Sequence, residues 1–387
     1  MEDSFVYILD NEDVEFEKII DVFKDNFNFK SIKVDLNYNE KVYYIINQNK
    51  LHKFCIDGTD FLIDSIKEKV RYDDNFKILI HSAHESLDET NINVLHDYVI
   101  KNNLEQSKFF LLNNSANLEE IQTKCESRFN CKKLNYLSYL KINDMIRSTK
   151  SIFKIEKEEG KFFMTFNKED KIHRYLLLIF LKGHNLLEDT NWSFLPTFKR
   201  KLKTQRIESF LSDGLIKKLK NEIDYFINLN YKFSDYEKTL DYNLENVLKQ
   251  TMVEDVKNYE NSYFNLTTES VFDERKNAVH ITEKSFKPFY YYQFPLILSS
   301  ENHIKKMKEL YDFDFFDDVI DHSYDSISDN KERFLRYCNE INRIYQNKDF
   351  FINFYNTNKE RFESNKNKVF NVVDLIKDDN QFFLNLI

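Results

Sequence analysis

The chain reads as an α/β protein of two Rossmann-like domains followed by a helical C-terminal tail. Three observations predict this. Short apolar runs alternate with stretches of ~10–15 residues at helical spacing, the signature of βαβ units and a parallel sheet. A polar, charged stretch separates two such series. The 387 residues, 42% of them hydrophobic, are enough for two cores of ordinary size.

The first series opens with Phe5-Val6-Tyr7-Ile8-Leu9, a buried strand, and residues 14–27 follow with Val14, Ile19, Ile20, Val22 and Phe23 at helical spacing. Residues 31–36 and 41–46 read as strands, 61–70 as a helix and 76–80 as a fully apolar strand. Residues 90–100 (helix), 108–112 (strand), 118–129 (helix) and a last strand near 134–140 complete a domain over 1–145. The stretch 146–160 is the linker, with Ser148, Thr149, Lys150, Ser151 and the run Glu156-Lys157-Glu158-Glu159-Gly160. The second domain, 161–345, starts with a strand at 162–166 and a helix over 171–182, then a long irregular and helical insertion to about residue 261. A strand at 263–266, a helix at 283–292, a short buried strand at 295–298 and a helix at 301–310 follow. Helices dominate from Asn330 onward, and 346–387 form the tail; no repeat of 20–50 residues is present. Two such domains expect ligands at the carboxyl edges of their sheets, in a cleft.

Composition excludes several functions. The four glycines, Gly58, Gly160, Gly183 and Gly214, stand far apart, so neither a Walker A loop nor the classical dinucleotide fingerprint can be written. Any nucleotide must therefore be held by side chains and helix N-termini. A net charge of −9 argues against broad adhesion to nucleic acid or to an anionic membrane. Cys55, Cys125, Cys131 and Cys338 form no C-x-x-C pair and read as reduced thiols of a cytoplasmic protein. The start is acidic, with no basic n-region before an apolar stretch, and the longest apolar run, 175–181, is far short of the ~20 residues of a bilayer span.

The most informative segment is Asn265-Leu266-Thr267-Thr268-Glu269-Ser270, followed after ten residues by Ile281-Thr282-Glu283-Lys284-Ser285-Phe286-Lys287-Pro288. A strand ending in Thr-Thr-Glu leads through a loop to a helix start suited to a nucleoside diphosphate. Thr282 caps the helix, its positive end faces the anion, Lys284 neutralises phosphate, and a carboxylate accepts from ribose hydroxyls. The same spacing also suits an ordinary capped helix with solvated Glu and Lys. In the first domain the strand 76–80 ends in His81-Ser82-Ala83-His84-Glu85-Ser86, a polar cluster at a carboxyl edge, or else a turn that merely caps the next helix near Asn91.

Three segments together resemble the donor domain of fucosyltransferase-like glycosyltransferases with the two-domain GT-B architecture. They are Thr268-Glu269-Ser270, Thr282-Glu283-Lys284 and Pro295-Leu296-Ile297-Leu298. Phe166-Asn167 with His173-Arg174 is similar to the strand-to-helix junction at the start of that domain, where an Arg contacts the diphosphate. Asp321-His322-Ser323-Tyr324-Asp325 with Arg333 is similar to the Asp-x-x-Tyr-Asp stretch of viral and bacterial relatives. The likeness covers about residues 160–345. It departs at Ser299-Ser300, where the family often has Gly.

The resemblance implies a glycosyltransferase, inverting and metal-independent, that moves a sugar from a GDP- or UDP-linked donor to a hydroxyl of a glycan acceptor, with no cofactor beyond that donor substrate. Asn167, His173, Arg174, Glu269, Thr282, Glu283 and Lys284 are its expected donor-binding residues, with Arg174 and Lys284 facing the leaving diphosphate. The general base is expected in the first domain, Glu85 first, with His84 or His81 in its place. Asp312-Phe313-Asp314 has the spacing of a metal-binding Asp-x-Asp but follows a helix late in the chain, and no metal is expected. The cations of residues 199–206 read as a solvated face, and Tyr290-Tyr291-Tyr292 and Phe109-Phe110 as core. Two alternatives remain at this stage: a glycosyltransferase acting on hydroxylated DNA bases, which the net charge disfavours, and a non-catalytic glycan-binding module.

Overall fold

A computed structural model describes residues 4–9, 28–31, 41–47, 50–51, 53–54, 60–82, 87–113, 115–125, 127–133, 142, 146, 155–157, 160–167, 171–194, 207, 210–211, 213–229, 259–272 and 278–374. They belong to two compact units. The first comprises Met1–Leu140, Asp273–Ile281 and Val372–Ile387; the second comprises Lys141–Phe272 and Thr282–Asn371. The chain thus leaves the second unit after Phe272, contributes Asp273–Ile281 to the first, and re-enters the second at Thr282.

The first unit holds six parallel strands, β1 (Ser4–Leu9), β2 (Asn28–Ser31), β3 (Val42–Asn47), β4 (Phe76–Ser82), β5 (Phe109–Asn113) and β6 (Asn130–Lys133), in the order β2-β1-β3-β4-β5-β6. Helices α1 (Asp64–Tyr72), α2 (Glu89–Lys101) and α3 (Leu118–Lys124) accompany the strands. Val42, Ile78, Ile80, Leu95, Phe109 and Leu111 lie in one buried cluster, the near-continuous apolar runs that a sheet covered on both faces requires. Asp88 begins α2 with a reciprocal capping box to Asn91, so Asp88, and not the His81–Ser86 segment, caps this helix.

The second unit holds four parallel strands, β7 (Phe163–Asn167), β8 (Thr190–Phe194), β9 (Phe264–Thr268) and β10 (Phe294–Leu298), in the order β10-β9-β7-β8. Its helices are α4 (Ile172–Gly183), α5 (Asp213–Lys218), α6 (Lys220–Leu229), α7 (Glu283–Tyr290), α8 (His303–Tyr311), α9 (Asn330–Gln346), α10 (Lys348–Thr357) and α11 (Lys359–Asp374). Aromatic rings build its core. Phe294 stacks on Phe264 at 4.6 Å and meets Phe362 at 4.9 Å, and Phe351 lies 5.2 Å from Phe264. Gly160 is needed where the lead-ins of β7 and β9 cross, since a Cβ there would sit 2.1 Å from the Asn261 carbonyl oxygen. Tyr290, Tyr291 and Tyr292 are all buried in this unit, as the sequence suggested.

Both units therefore carry a parallel sheet with helices in a Rossmann-like arrangement. Among the described residues no helix is long and apolar enough to cross a membrane. Several element boundaries differ from the sequence reading. The insertion to residue 261 conceals edge strand β8, whose Thr-Asn-Trp-Ser-Phe has no apolar run. β6, at 130–133, falls where no strand is expected, and Asn-Cys-Lys-Lys is polar because this edge strand is only half covered. The helix expected over 118–129 stops at Lys124, and α7 stops at Tyr290 because Tyr292 takes a left-handed φ of 54°. The helix expected over 14–27, the strand expected over 134–140 and the cations of 199–206 lie outside the described residues, as does most of the 146–160 linker.

Candidate functional site

In the order β10-β9-β7-β8 the chain runs outward from β7 to β8 and then crosses back to β9 on the other side of β7. The carboxyl ends of β7 and β9 are thus the point where winding reverses, the crevice in which doubly wound sheets bind ligands. Most of the donor-binding residues expected from the sequence meet here.

β7 ends at Asn167 and β9 at Thr268, and the Thr268 hydroxyl donates to the Asn167 side-chain oxygen. Asn167 Nδ2 donates to Thr165 Oγ1 at 3.2 Å, and Thr165 Oγ1 donates to the Leu266 carbonyl at 2.9 Å, lacing the two strands together. α4 starts just beyond β7 and presents His173 and Arg174 on its first turn. His173 Nε2 meets the Glu269 carbonyl oxygen at 2.9 Å, so it donates and is the protonated nitrogen. Arg174, only 2% exposed, reaches the Thr268 carbonyl with Nη2 at 3.4 Å. The Lys171 ammonium donates to the Ser270 carbonyl.

Glu269 is wholly buried (0% exposed) and surrounded by donors. Its Oε1 accepts from the Thr282 amide (3.1 Å), the Thr282 hydroxyl (3.0 Å) and the Ser285 hydroxyl (2.6 Å). Its Oε2 accepts from the Ser270 amide (3.0 Å) and again from Thr282 Oγ1 (2.8 Å). Burial opposes ionisation of this carboxyl, but Lys284, then His303 and the Ser285 hydrogen bond outweigh it and hold the group below its usual range. One carboxylate thus ties both ends of the thirteen-position excursion from Glu269 to Thr282. Its lone pairs are spent on the protein, and Glu283 is the second carboxylate at the helix start.

Thr282 caps α7, accepting from the Lys284 amide at 3.3 Å from an extended backbone. The Lys284 ammonium lies 3.2 Å from Glu283 Oε1 and 3.3 Å from Thr282 Oγ1, with its side chain still 29% exposed. Burial works against its charge and Arg174 repels it, yet Glu283 and Glu269 leave the amine above its ordinary value. Two cations close enough to repel each other, beside a helix N-terminus at a sheet's carboxyl edge, make an anion-binding constellation.

The sequence reading missed the layer beneath. His303, at the first position of α8, is wholly buried, with Nε2 2.9 Å from Ser285 Oγ and Nδ1 3.0 Å from Ser299 Oγ. Burial pushes its imidazole below the usual value, against the pull of Glu269 and Asp325. Asp325 accepts from the Ile304 and Lys305 amides at 3.0 Å each and so caps α8, which gives part of the Asp-x-x-Tyr-Asp stretch a structural task. Arg333 stacks over Phe272 at 5.1 Å and donates to its carbonyl at 3.2 Å. Only the four-residue spacing from Ser299 to His303 hints at this layer in the sequence.

Asp312 and Asp314 hold cations of the protein itself. Asp312 pairs with Lys368 at 2.8 Å, and Asp314 receives Arg361 at 2.6 and 2.9 Å. In the first unit, His81 lies near the carboxyl end of β4, paired in register with Asn47 of β3, and is wholly buried (0% exposed). His84 and Glu85 lie outside the described residues. Beyond them, Asn113 at the end of β5 accepts from the Leu87 amide (3.1 Å) and from Ser115 N (2.8 Å) and Oγ (2.6 Å).

Comparison with protein-family models, with curated proteins and with solved structures finds no match for this chain.

Proposed function

We propose that the chain is a cytoplasmic glycosyltransferase of the fucosyltransferase-like, GT-B kind, whose second unit binds a nucleoside diphosphate sugar at the carboxyl ends of β7 and β9. The observation that carries this reading is the convergence there of Arg174, Lys284 and the Thr282-capped start of α7. Arg174 is buried and permanently charged, an arrangement that serves recognition of phosphate better than it serves stability. Fixed cations aimed where charge develops replace a metal ion as electrophile.

In the reaction an acceptor hydroxyl of a glycan attacks the anomeric carbon and loses its proton to a general base, the role that we assign from the sequence to Glu85. The new bond forms from the acceptor oxygen as the bond from the anomeric carbon to the diphosphate oxygen breaks. Arg174, Lys284 and the α7 amides take up the negative charge left on the nucleoside diphosphate. His81, the other candidate that the structure describes, is wholly buried at the end of β4. His173 and Glu269 position the loop, and Glu283 is the carboxylate for the ribose hydroxyls.

Titration of GDP and UDP into the protein in excess EDTA tests this reading. Binding is expected, and at 100 times the dissociation constant it should add about 2.7 kcal/mol to stability in a thermal-shift series. An absolute need for manganese or magnesium, or the absence of binding by any nucleoside diphosphate, overturns it.

A further inference from the structure

The buried layer under the anion site is a single chain of hydrogen bonds whose proton directions can be counted. Glu269, Ser285, His303 and Ser299 are each at most 3% exposed. Thr282 Oγ1 faces the Lys284 amide and ammonium, which can only donate, so the Thr282 proton goes to Glu269. The Thr282 and Ser270 amides also donate to Glu269, and a carboxylate so surrounded is ionised. Ser285 Oγ lies 2.6 Å from this carboxylate, the length of a charge-assisted O–H···O⁻ bond, so its one proton is used there. The remaining contact, Ser285 Oγ to His303 Nε2 at 2.9 Å, needs a proton from the ring. Nε2 of His303 therefore carries a proton; on the other side of the ring the Ser299 hydroxyl lies 3.0 Å from Nδ1 and 3.1 Å from the Val271 carbonyl, which share its one proton.

We infer that His303 is a positioning residue of the anion site: its Nε2–H aims the Ser285 hydroxyl at Glu269, and Glu269 in turn holds the Thr282 cap and the Lys284 ammonium in place. His303 never meets a ligand in this scheme. It acts through two intermediaries, and the inference rests on the nucleoside diphosphate reading of the site above them. Without the Nε2 donor, Ser285 turns toward the ring and Glu269 loses its shortest hydrogen bond. The base of the loop between Glu269 and Thr282 then loosens, and Lys284 no longer stands where the phosphate expects it.

Two near-isosteric substitutions separate the donor from the shape. Glutamine places an amide nitrogen near the Nε2 position, whereas asparagine reaches only as far as Nδ1. His303→Gln should keep GDP or UDP affinity within about threefold, and His303→Asn should weaken it about tenfold, the worth of one hydrogen bond passed on to the site. In a Ser285→Ala background His303→Asn should add no further loss, because the link it breaks is already gone. Equal affinities for the two His303 variants, or an undiminished loss in the Ser285→Ala background, overturn the inference. Nitrogen-15 NMR of the ligand-free wild-type protein reads the tautomer directly. A ring protonated at Nδ1 alone overturns the relay whatever the variants do. If the wild type binds no nucleoside diphosphate, the functional reading falls, and the positioning of a phosphate site falls with it; an Nε2–H signal lost in Ser285→Ala then still identifies the relay as the buttress of the loop.

Discussion

At the end of β5 in the first unit, the neutral amide oxygen of Asn113 gathers the Leu87 amide and both donors of Ser115. At the end of β9 in the second unit, the carboxylate of Glu269 gathers the amides of Ser270 and Thr282 and two hydroxyls. Both are wholly buried acceptors that organise the loops leaving a strand, and both sheets are wound in the same sense, β2-β1-β3-β4 in one and β8-β7-β9-β10 in the other. The difference is charge. Asn113 needs only its donors, whereas an ionised Glu269 requires a cation nearby, and Lys284 is set against it. Identical winding thus leaves the chemistry of the edge open, and the charged strand end is where the proposed phosphate site lies.

The largest expected effect follows from this pair of acceptors. Glu269→Ala leaves two amides and two hydroxyls without their acceptor and Lys284 with Glu283 as its remaining counter-charge, a loss of about 3–5 kcal/mol. Asn113→Ala strands neutral donors only and should cost about 1–3 kcal/mol. Hydrogen exchange of the β9 and β5 amides measures each unit's opening separately; equal costs would erase the contrast. Acid sharpens it. Because the Glu269 carboxyl lies below its ordinary value of 4.5 in the folded chain, its contribution is complete above that value and is lost as pH falls through the folded value. The gap between wild type and Glu269→Ala should therefore close on acidification, while the Asn113→Ala gap stays open. Parallel behaviour of both gaps would show that Glu269 is not ionised at neutral pH.

A smaller effect should appear in binding. Lys284→Ala removes a partly exposed ammonium and should weaken GDP or UDP binding by about 1.5–3 kcal/mol, the range for a hydrogen bond to a charged group. Melting of the unliganded protein should fall less than in Glu269→Ala, because Glu269 keeps its amide and hydroxyl donors. Calorimetric titration beside a melting curve checks both; unchanged affinity with lowered melting temperature would make Lys284 a structural counter-ion of Glu269 and nothing more.

What could be read from the sequence follows the same divide. Phe76–Ile80 is legible as a strand because a central strand is covered on both faces and must be apolar throughout, and Pro295–Leu298 because every one of its residues is buried although β10 ends its sheet. β6 and β8 are not, because these two edge strands carry polar residues in which a period of two barely shows. Thr282-Glu283-Lys284 is legible because a cap and its first turn are contiguous. Ser285, Ser299 and His303 were passed over: only the return of the chain through β10 into α8 brings His303 to Ser285, eighteen positions away. A buried hydrogen-bond relay has no period, so only the fold reveals it. His84 and Glu85 lie outside the described residues, so the assignment of the base still rests on the sequence.

The smallest effect tests whether the two units use the same local device to different ends. Asp88 caps α2 and Thr282 caps α7, each with a side-chain oxygen accepting from a first-turn amide. Loss of such a cap costs ~0.5–2 kcal/mol, so Asp88→Ala and Thr282→Ala should each lower stability by about that amount. Their consequences for binding should part. Asp88 closes a box with Asn91 inside its own helix, so removing it should leave nucleotide affinity unchanged. Thr282 also donates to Glu269 and stands 3.3 Å from the Lys284 ammonium, so its loss should weaken nucleotide binding as well as the helix. Thr282→Ser keeps the hydroxyl and should restore most of both. If Thr282→Ala costs stability alone, as Asp88→Ala should, then the α7 cap is an ordinary cap, and the charged edge of the second sheet owes its arrangement to folding rather than to a ligand.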